Sequence, residues 1–334
     1  MPMISLGDMA QSFMLRRQTT DLKSDLQRLT TEMATGQATD IGRQVGGDYS
    51  PLAGVDTSLA RLQGYKASTS EAALLSSAMQ TVLGTVESMA SSLGPALLAA
   101  SSTGTSLQIN AVATEARQKL ATTVALFNTD ISGRSLFAGQ ATDGRAVLEV
   151  DALLLALDTE IIGATSALDV ETRIAAWFSA PSGYASVGYL GDDALRPLNV
   201  APGETADLGF TAADPGIRDT LKGLAMAALL DRGALAGNMQ ARADLARKAG
   251  ESLVSSQTSR TDMAARLGTA EGQIQAAIAR NSAETAALQI ARTEITGVDP
   301  YETASKLEAT RQQIETMYAL TARLSRLSLV DFLR

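Results

Sequence analysis

Apolar residues recur at spacings of four and three positions near both ends of the chain. They are Leu15, Leu22, Leu26, Leu29 and Met33 near the start, and Leu307, Ile314, Met317, Leu320, Leu324 and Leu327 near the end. So narrow a stripe is typical of a seam that packs on one other helix, because a helix on a globular core has a broader apolar face. We predict that the two ends pair with each other, with neighbouring subunits, or with both. These positions are the candidate assembly interface.

The same spacing predicts helices along most of the chain. Four helical tracts are predicted, at about 6–35, from Pro51 onward, at 106–131 and at 217–295. A last helix follows them. Pro95 lies inside the second tract, where a proline is expected to kink or end the helix. The chain is therefore expected to be mainly α.

Two interruptions separate these helices. Residues 36–51 contain four glycines and Pro51, which predicts a loop. Asp299 and Pro300 suit the N-cap and the first position of the last helix, with Glu302 at its third position.

Residues 140–215 have a different character, with prolines, aromatic residues and short apolar stretches. Stretches 185–190 and 207–211 predict strands between turns, and 153–178 predicts helix. We predict a mainly α fold, in which a long helical bundle or coiled coil from the N- and C-terminal parts carries a small inserted α+β domain. The predicted domains are a terminal coiled-coil assembly domain (1–45 and 297–334), a helical frame domain (46–139 and 216–296) and an inserted, outward-facing α+β domain (140–215).

The net charge of −8 is concentrated in one part of the chain. Residues 141–220 hold 13 acidic and 4 basic residues, a net of −9, so the remainder has a net of +1. Nucleic-acid binding needs clustered Lys and Arg, and we therefore expect no nucleic-acid partner. The acidic segment is expected to form a solvated exterior.

The chain has no histidine and no cysteine. The commonest general base, the thiol nucleophile and the usual zinc, haem and iron–sulfur ligands are therefore missing. Asp192–Asp193 could hold a cation, but no third oxygen ligand lies nearby in the sequence, so a simple turn is favoured. Gly46–Asp48 could bind phosphate, but no P-loop lysine follows, and a turn is favoured there as well. We predict no catalytic, metal or cofactor-binding residue, no cofactor and no enzymatic activity.

Two further expectations concern membranes. Residues 1–14 lack a basic stretch followed by an apolar one, so no cleaved signal peptide is expected. No apolar run approaches the roughly 18 residues of a membrane span, so no membrane insertion is expected.

Two segments resemble a known family. Residues 127–139 resemble the Asn…Gly-Arg/Lys-x-Leu-Phe-Ala-Gly stretch of bacterial flagellins and their hook-associated relatives. Residues 322–333 are similar to the Arg-Leu-Ser-x-Leu-Ser-Leu-x-x-Tyr/Phe-Leu ending of the hook-associated protein 3 group, the hook–filament junction proteins, and 189–192 and 221–230 also fit that group. The family motif falls on Asn128, Gly133, Arg134, Leu136, Phe137, Ala138 and Gly139.

The resemblance has one departure, after the first helix. Thr35 and Gly36 keep the family's Thr-Gly, but the Asp-Asp motif that usually follows is replaced by Gly-Asp-Tyr-Ser-Pro at 47–51. This departure weakens the resemblance to flagellin more than the resemblance to the junction proteins.

The resemblance implies a structural part of the bacterial flagellum, a ring-forming adaptor between hook-associated protein 1 and the flagellin filament. The implied partners are like subunits, hook-associated protein 1, flagellin, a flagellar export chaperone and the export apparatus. It also implies an extracellular place at the hook–filament junction, reached by type III export of an unfolded chain without a cleaved signal peptide. A chain without cysteine is compatible with such threading.

Two alternatives remain open. Flagellin, the filament subunit, is the close alternative within the family. A cytoplasmic coiled-coil signalling or scaffold protein would share the heptads, but it would not need the inserted segment or the Leu-Phe-Ala-Gly stretch.

Overall fold

The chain folds mostly into α-helices, which confirms the mainly α class. The computed structural model describes residues 6–332, without the side chains of 6–8, 11–12 and 324–332. Unit 1 comprises Met1–Gln63 with Ser282–Arg334, and unit 2 comprises Gly64–Asn281. Two long helices, α3 (Ser50–Thr103) and α9 (Gln257–Thr296), contribute residues to both units.

Unit 1 contains the two terminal helices. They are α1 (Leu6–Thr35) and α10 (Pro300–Phe332), and α1 ends at Thr35 as predicted. Asp299 caps α10 as predicted, because its Oδ1 accepts hydrogen bonds from Tyr301 N at 2.8 Å and Glu302 N at 3.0 Å. The cap satisfies donors that the start of a helix leaves unpaired.

Residues 36–51 are not the simple loop that was predicted. They contain a short helix, α2 (Ile41–Gln44), whose N-cap Asp40 accepts a hydrogen bond from Arg43 N at 3.0 Å. Asp48 Oδ1 accepts from Ser50 N at 2.9 Å where α3 starts, and this backbone hydrogen bond lowers the pKa of Asp48. Asp40 is therefore a helix cap, and Asp48 forms a turn just before α3.

Unit 2 is organised around one hydrophobic core. Helix α4 packs along α7, α7 along α8, and α6 against both. Met79, Leu93 and Leu120 are among its largest fully buried side chains. Its further helices are α4 (Ser106–Phe127), α5 (Val150–Glu160), α6 (Ala167–Ser179), α7 (Pro215–Asp231) and α8 (Met239–Ser255).

The predicted tract 217–295 is in fact three helices. Between α7 and α8 the chain turns at Gly233 and Gly237, each with a φ of +92°, a conformation that favours glycine. Only Ser256 separates α8 from α9. Apolar spacing continues across such short breaks, so periodicity alone did not reveal them.

Pro95 neither ends α3 nor marks its boundary. The helix continues to Thr103. Leu93 and Leu97 beside the proline are buried in the core, and this packing outweighs the hydrogen bond that Pro95 cannot donate.

Helix α4 ends at Phe127, four residues before its predicted end. The chain then forms a hairpin in which β1 (Asp130–Ile131) pairs antiparallel with β2 (Arg134–Ser135). Ser132 and Gly133 between them have φ values of +56° and +77°, as a tight two-residue hairpin turn requires.

The predicted strands at 185–190 and 207–211 are wrong. The first region is a π-helical turn, Tyr184–Gly188, where the buried Tyr184 hydroxyl donates to Ala212 O at 2.9 Å. Burial of this aromatic ring, and not local alternation, decides the backbone path. The second sheet instead pairs β3 (Leu198–Ala201) antiparallel with β4 (Glu204–Ala206).

Residues 140–215 share their core with the helices around them. Trp177 makes edge contacts with Phe178 and Tyr184, with ring centroids 5.0 Å and 6.0 Å apart. These rings belong to the same hydrophobic cluster as α4, α7 and α8. The three-domain division therefore stays a prediction, and residues 140–215 are not packed around a separate core.

One helix among the described residues, α3, is long and apolar enough to cross a membrane by length and composition. Its best 18-residue stretch has a mean hydropathy of 1.2. In the structure 39% of this stretch is buried, and Leu75, Met79 and Val86 of α3 belong to the core of unit 2.

Candidate assembly interface

The end of α1 and the end of α9, just before α10, are joined by backbone hydrogen bonds. Gln37 and Gly297 form an antiparallel bridge. The hydrogen bonds run from Ala38 N to Thr296 O at 2.8 Å, from Val298 N to Gly36 O at 3.1 Å, and from Gln44 Nε2 to Gly297 O at 2.8 Å. Residues 36–38, Gln44 and 296–298 are termed the clasp.

Beyond the clasp, α1 and α10 pack along each other. They run antiparallel, because α1 ends at the clasp and α10 begins there. The Lys23 ammonium lies 5.7 Å from the centroid of the Tyr318 ring, which is one contact across the pair. The two ends of the chain thus pair with each other.

The predicted seam residues fall into three groups. Leu29 and Met317 are buried, Leu15, Leu22, Leu26, Leu307 and Ile314 are half-buried, and Met33 and Leu320 are exposed. The side chains of Leu324 and Leu327 lie outside the described residues. Leu320, three residues after the buried Met317, is 45% exposed.

Two buried positions of α10 are occupied by threonines, which the spacing of apolar residues did not predict. Thr303 and Thr310 are buried and stand at seven-residue intervals before Met317. Their hydroxyls donate to the carbonyl oxygens of Asp299 at 2.7 Å and Lys306 at 2.8 Å, within α10 itself. A threonine satisfied in this way presents its methyl group to the other helix.

Glu32 is a buried carboxylate at the clasp end of α1. Its two oxygens accept hydrogen bonds from Arg28 Nη1 at 3.0 Å and from Thr39 N at 3.1 Å. Arg28 also donates a hydrogen bond to Asp25 at 3.0 Å. This hydrogen bond, and to a smaller extent the negative charge of Glu32, raises the pKa of Arg28. Glu32 takes the inner position on the last turn of α1, which leaves Met33 exposed.

The α1–α10 pair also leaves large apolar side chains in solvent. Phe13 is 67% exposed and Met14 is 71% exposed on α1, while Tyr318 and Leu320 are about half exposed on α10. Exposed apolar residues gathered on one small unit are candidates for burial by another molecule.

The family-motif residues lie in unit 2 and not at the terminal helices. Leu136, Phe137 and Ala138 are fully buried, and Phe137 meets Phe127 edge-on with ring centroids 5.2 Å apart. Phe137 O accepts a hydrogen bond from Ala212 N at 2.9 Å. This part of the motif therefore joins α4 to the end of the inserted segment.

The polar residues of the motif hold the same region together. Asn128 Nδ2 donates to Val147 O at 2.9 Å, and its Oδ1 accepts from Val147 N at 2.8 Å. Arg134 forms an ion pair with Glu71 on α3, and Gly133 supplies the hairpin turn. Asn128 thus satisfies the backbone groups of Val147, and Arg134 ties the hairpin to α3.

Gly139 allows two backbone segments to touch. Its φ is +62°, and a Cβ there would lie 2.3 Å from Asp193 O and 2.4 Å from Asp192 O. Gln140 N donates to Asp193 O, and Asp192 N donates to Ala138 O, both at 2.9 Å. Only glycine fits this close approach.

Among the described residues, no three or more acidic side chains form a group that could hold a metal ion. Asp192 Oδ1 accepts a hydrogen bond from Asp193 N at 2.8 Å, as in a turn. A cavity of about 160 Å³ in unit 2 is lined by apolar residues such as Phe127 and Met263, with Arg260 at its edge. Arg260 is occupied by its ion pair with Glu87 and by its hydrogen bond to Ser256 Oγ at 2.6 Å.

Comparisons with known proteins relate the last two helices to a family. Residues 253–333 match the sequence model of the bacterial flagellin C-terminal helical region, and a search of curated proteins found no significant match. The solved structure of a Vibrio parahaemolyticus protein assigned as flagellar hook-associated is similar over 73% of this chain and 95% of that chain, with 15% identity and a TM-score of 0.49. A likeness of that strength does not by itself establish fold or function. The matched residues include all of α9 and α10, so these two helices resemble the C-terminal helical region of the flagellin family.

Proposed function

We propose that this flagellin-like protein is a junction adaptor that joins hook-associated protein 1 to the flagellin filament. In this proposal it forms a ring of like subunits through its terminal helices. The observation that carries the proposal is the set of exposed apolar side chains on the α1–α10 pair, above all Phe13 and Met14.

Two paired helices cannot bury apolar residues that point away from their shared seam. Burying one Phe or Met side chain stabilises a complex by about 1.5–3 kcal/mol. In a ring each subunit repeats this burial, so a marginal contact becomes a strong assembly interface. Phe13, Met14 and Leu320 supply such contacts from both terminal helices.

Two features of the sequence favour the junction over the filament. The ending at 322–333 is similar to that of the hook–filament junction proteins, and residues 47–51 replace the Asp-Asp motif usual in the family. Flagellin itself is the second candidate, because the matched region at 253–333 is the one named for flagellin.

The proposal includes the route to the junction. The chain would leave the cell unfolded through the flagellar export apparatus, accompanied by an export chaperone and without a cleaved signal peptide. A chain without cysteine suits this route, because no disulfide can form and obstruct threading.

The interface is tested by placing charges on its exposed apolar residues. Phe13→Asp and Leu320→Asp should leave the melting temperature of the purified protein within about 2 °C of the unmodified protein, since neither side chain is buried. In cells they should abolish filament attachment and swimming, because a buried unpaired charge costs several kcal/mol. Leu107→Asp is the matched control, since Leu107 is 80% exposed in unit 2. Normal swimming with full-length filaments in both interface variants would remove the main support for the proposal.

The position in the flagellum is tested by labelling. The chain has no cysteine, so Ile162→Cys, at a residue that is 72% exposed, gives a single reactive thiol. A maleimide dye on intact flagella should mark one spot at the base of each filament. Label along the whole filament would identify flagellin instead, and label found only inside the cell would favour the scaffold alternative.

A further inference from the structure

The apolar rows of α1 and α10 do not define how far one helix lies along the other. On α1 the inward row repeats every seven residues at Leu15, Leu22 and Leu29, and on α10 a buried row repeats every seven residues from Thr303 to Met317. A slip of seven residues, about 10 Å at 1.5 Å per residue, would again lay one row against the other. Pairs of regular heptads need a polar feature to specify their register.

The clasp is a directional feature at one end of this pair. Its backbone hydrogen bonds join Gly36 and Ala38 to Val298 and Thr296, and a slip by seven residues would break all of them. Gly297 is confined as well, because a Cβ there would lie 2.5 Å from Thr293 O and 3.6 Å from Gly36 O. The clasp therefore tolerates one alignment.

Glu32 opposes slippage from inside α1. Its side chain is 5% exposed, and its oxygens are bound by Arg28 and by Thr39 N of the loop that follows α1. The bond to Thr39 fixes the loop residue next to Ala38, and Ala38 N is one of the donors of the clasp. Burying a carboxylate without its partners is costly, so Glu32 favours the clasped alignment.

We propose that the clasp sets the axial register of α1 against α10, and that Gly297 and Gln44 are positioning residues for the assembly face. The register decides which exposed side chains of α1 stand level with which side chains of α10. It thereby decides the shape of the surface that a neighbouring subunit meets. This last consequence rests on the proposed function, whereas the register itself does not.

Disulfide cross-linking in the purified chain tests the register, because the natural sequence has no cysteine. Leu29 is buried on α1, and Thr303 and Thr310 are buried one heptad apart on α10. Leu29→Cys is therefore combined in turn with Thr303→Cys and with Thr310→Cys. In the chain with an intact clasp, one of these two pairs should oxidise much faster than the other, because one alignment is populated.

Gly297→Ala and Gln44→Ala are then added to each cysteine pair. Gln44→Ala removes one hydrogen bond, and the ratio of the faster cross-link to the slower one should fall about fivefold. Gly297→Ala should lower this ratio further, with cross-links spread over both positions. Gly54→Ala is the matched control, since a Cβ at Gly54 meets no atom within 4 Å.

An unchanged ratio in both variants would overturn the proposal, because the seam would then set its own register. If Gly297→Ala loses its helical circular dichroism, Gln44→Ala decides alone, since it alters one exposed side chain. A changed ratio combined with normal swimming of Phe13→Asp and Leu320→Asp cells would keep the clasp and remove the junction function. The two failures are therefore distinguishable.

Discussion

A side chain would clash at Gly139, whereas a side chain at Gly84 would meet no other atom. A Cβ at Gly139 would lie within 2.4 Å of two carbonyl oxygens, and its φ of +62° is unfavourable for L-residues. A Cβ at Gly84, inside α3, meets no atom within 4 Å. Gly139→Ala should therefore lower the free energy of unfolding by about 2 kcal/mol or more, and Gly84→Ala should raise it by about 0.5–1 kcal/mol. Thermal unfolding followed by circular dichroism measures both changes, and equal effects of the same sign would contradict this reading of the motif glycine.

The same residues show how much of the site the sequence could predict. Gly139 belongs to the family motif, but its close contact with Asp192 and Asp193 joins chain segments more than 50 residues apart, which the sequence does not show. Glu32 could not be identified as buried, because its burial depends on the loop donor Thr39 N. The burial of Thr303 could not be predicted from the pattern of apolar residues, because threonine is polar. Its hydroxyl is satisfied by the carbonyl oxygen of Asp299 within its own helix, so it can be buried.

At the scale of elements, helix α7 shows that residues 140–215 belong to the core of unit 2. Twelve of its 17 residues are buried, which is typical of a helix covered on all sides. Part of that cover comes from α5 and α6. Replacing residues 140–215 with a short Gly/Ser linker should therefore abolish cooperative thermal unfolding and expose surface that binds a hydrophobic dye. The same linker inserted after Gly237 without a deletion is the control, and a cooperative transition in the deleted chain would show that the remaining helices suffice as a core.

Helix bounds were predictable where local chemistry decides them. The end of α1 at Gly36 and the start of α10 at Asp299 and Pro300 both follow from capping and from the conformational freedom of glycine. Predictions failed where distant contacts decide, as at Pro95, whose helix is held by core packing, and at Tyr184, whose ring is buried against other aromatic residues. The apolar pattern predicted that the terminal helices pair, whereas it did not predict that Met33 and Leu320 are exposed.

At the scale of the whole chain, the two units differ in how their helices are held. The core of unit 2 draws on many helices, and residues such as Leu224 and Leu253 are completely buried. In unit 1, α1 and α10 pack through a narrow seam in which only a few described side chains, such as Leu29 and Met317, are fully covered. Two helices paired in this way are marginal in water unless a further contact holds them. The clasp supplies that contact at one end of the pair only.

Hydrogen exchange in the monomeric protein should therefore show a gradient. Amides in α7 of unit 2 should exchange most slowly, because they open only in global unfolding. Amides near Leu29 and Thr303, next to the clasp, should be intermediate, and those near Phe13 and Tyr318 should exchange fastest, because the pair frays from its unclasped end. In the assembled structure the amides near Phe13 and Tyr318 should become strongly protected, while those of α7 change little. Mass spectrometry of both forms measures these rates, and Gln44→Ala should speed exchange at Leu29 while leaving α7 unaffected. Uniform slow exchange along α1 and α10 in a demonstrably monomeric sample would mean that the terminal pair is stable by itself, and its exposed apolar residues would then no longer imply an absent neighbour.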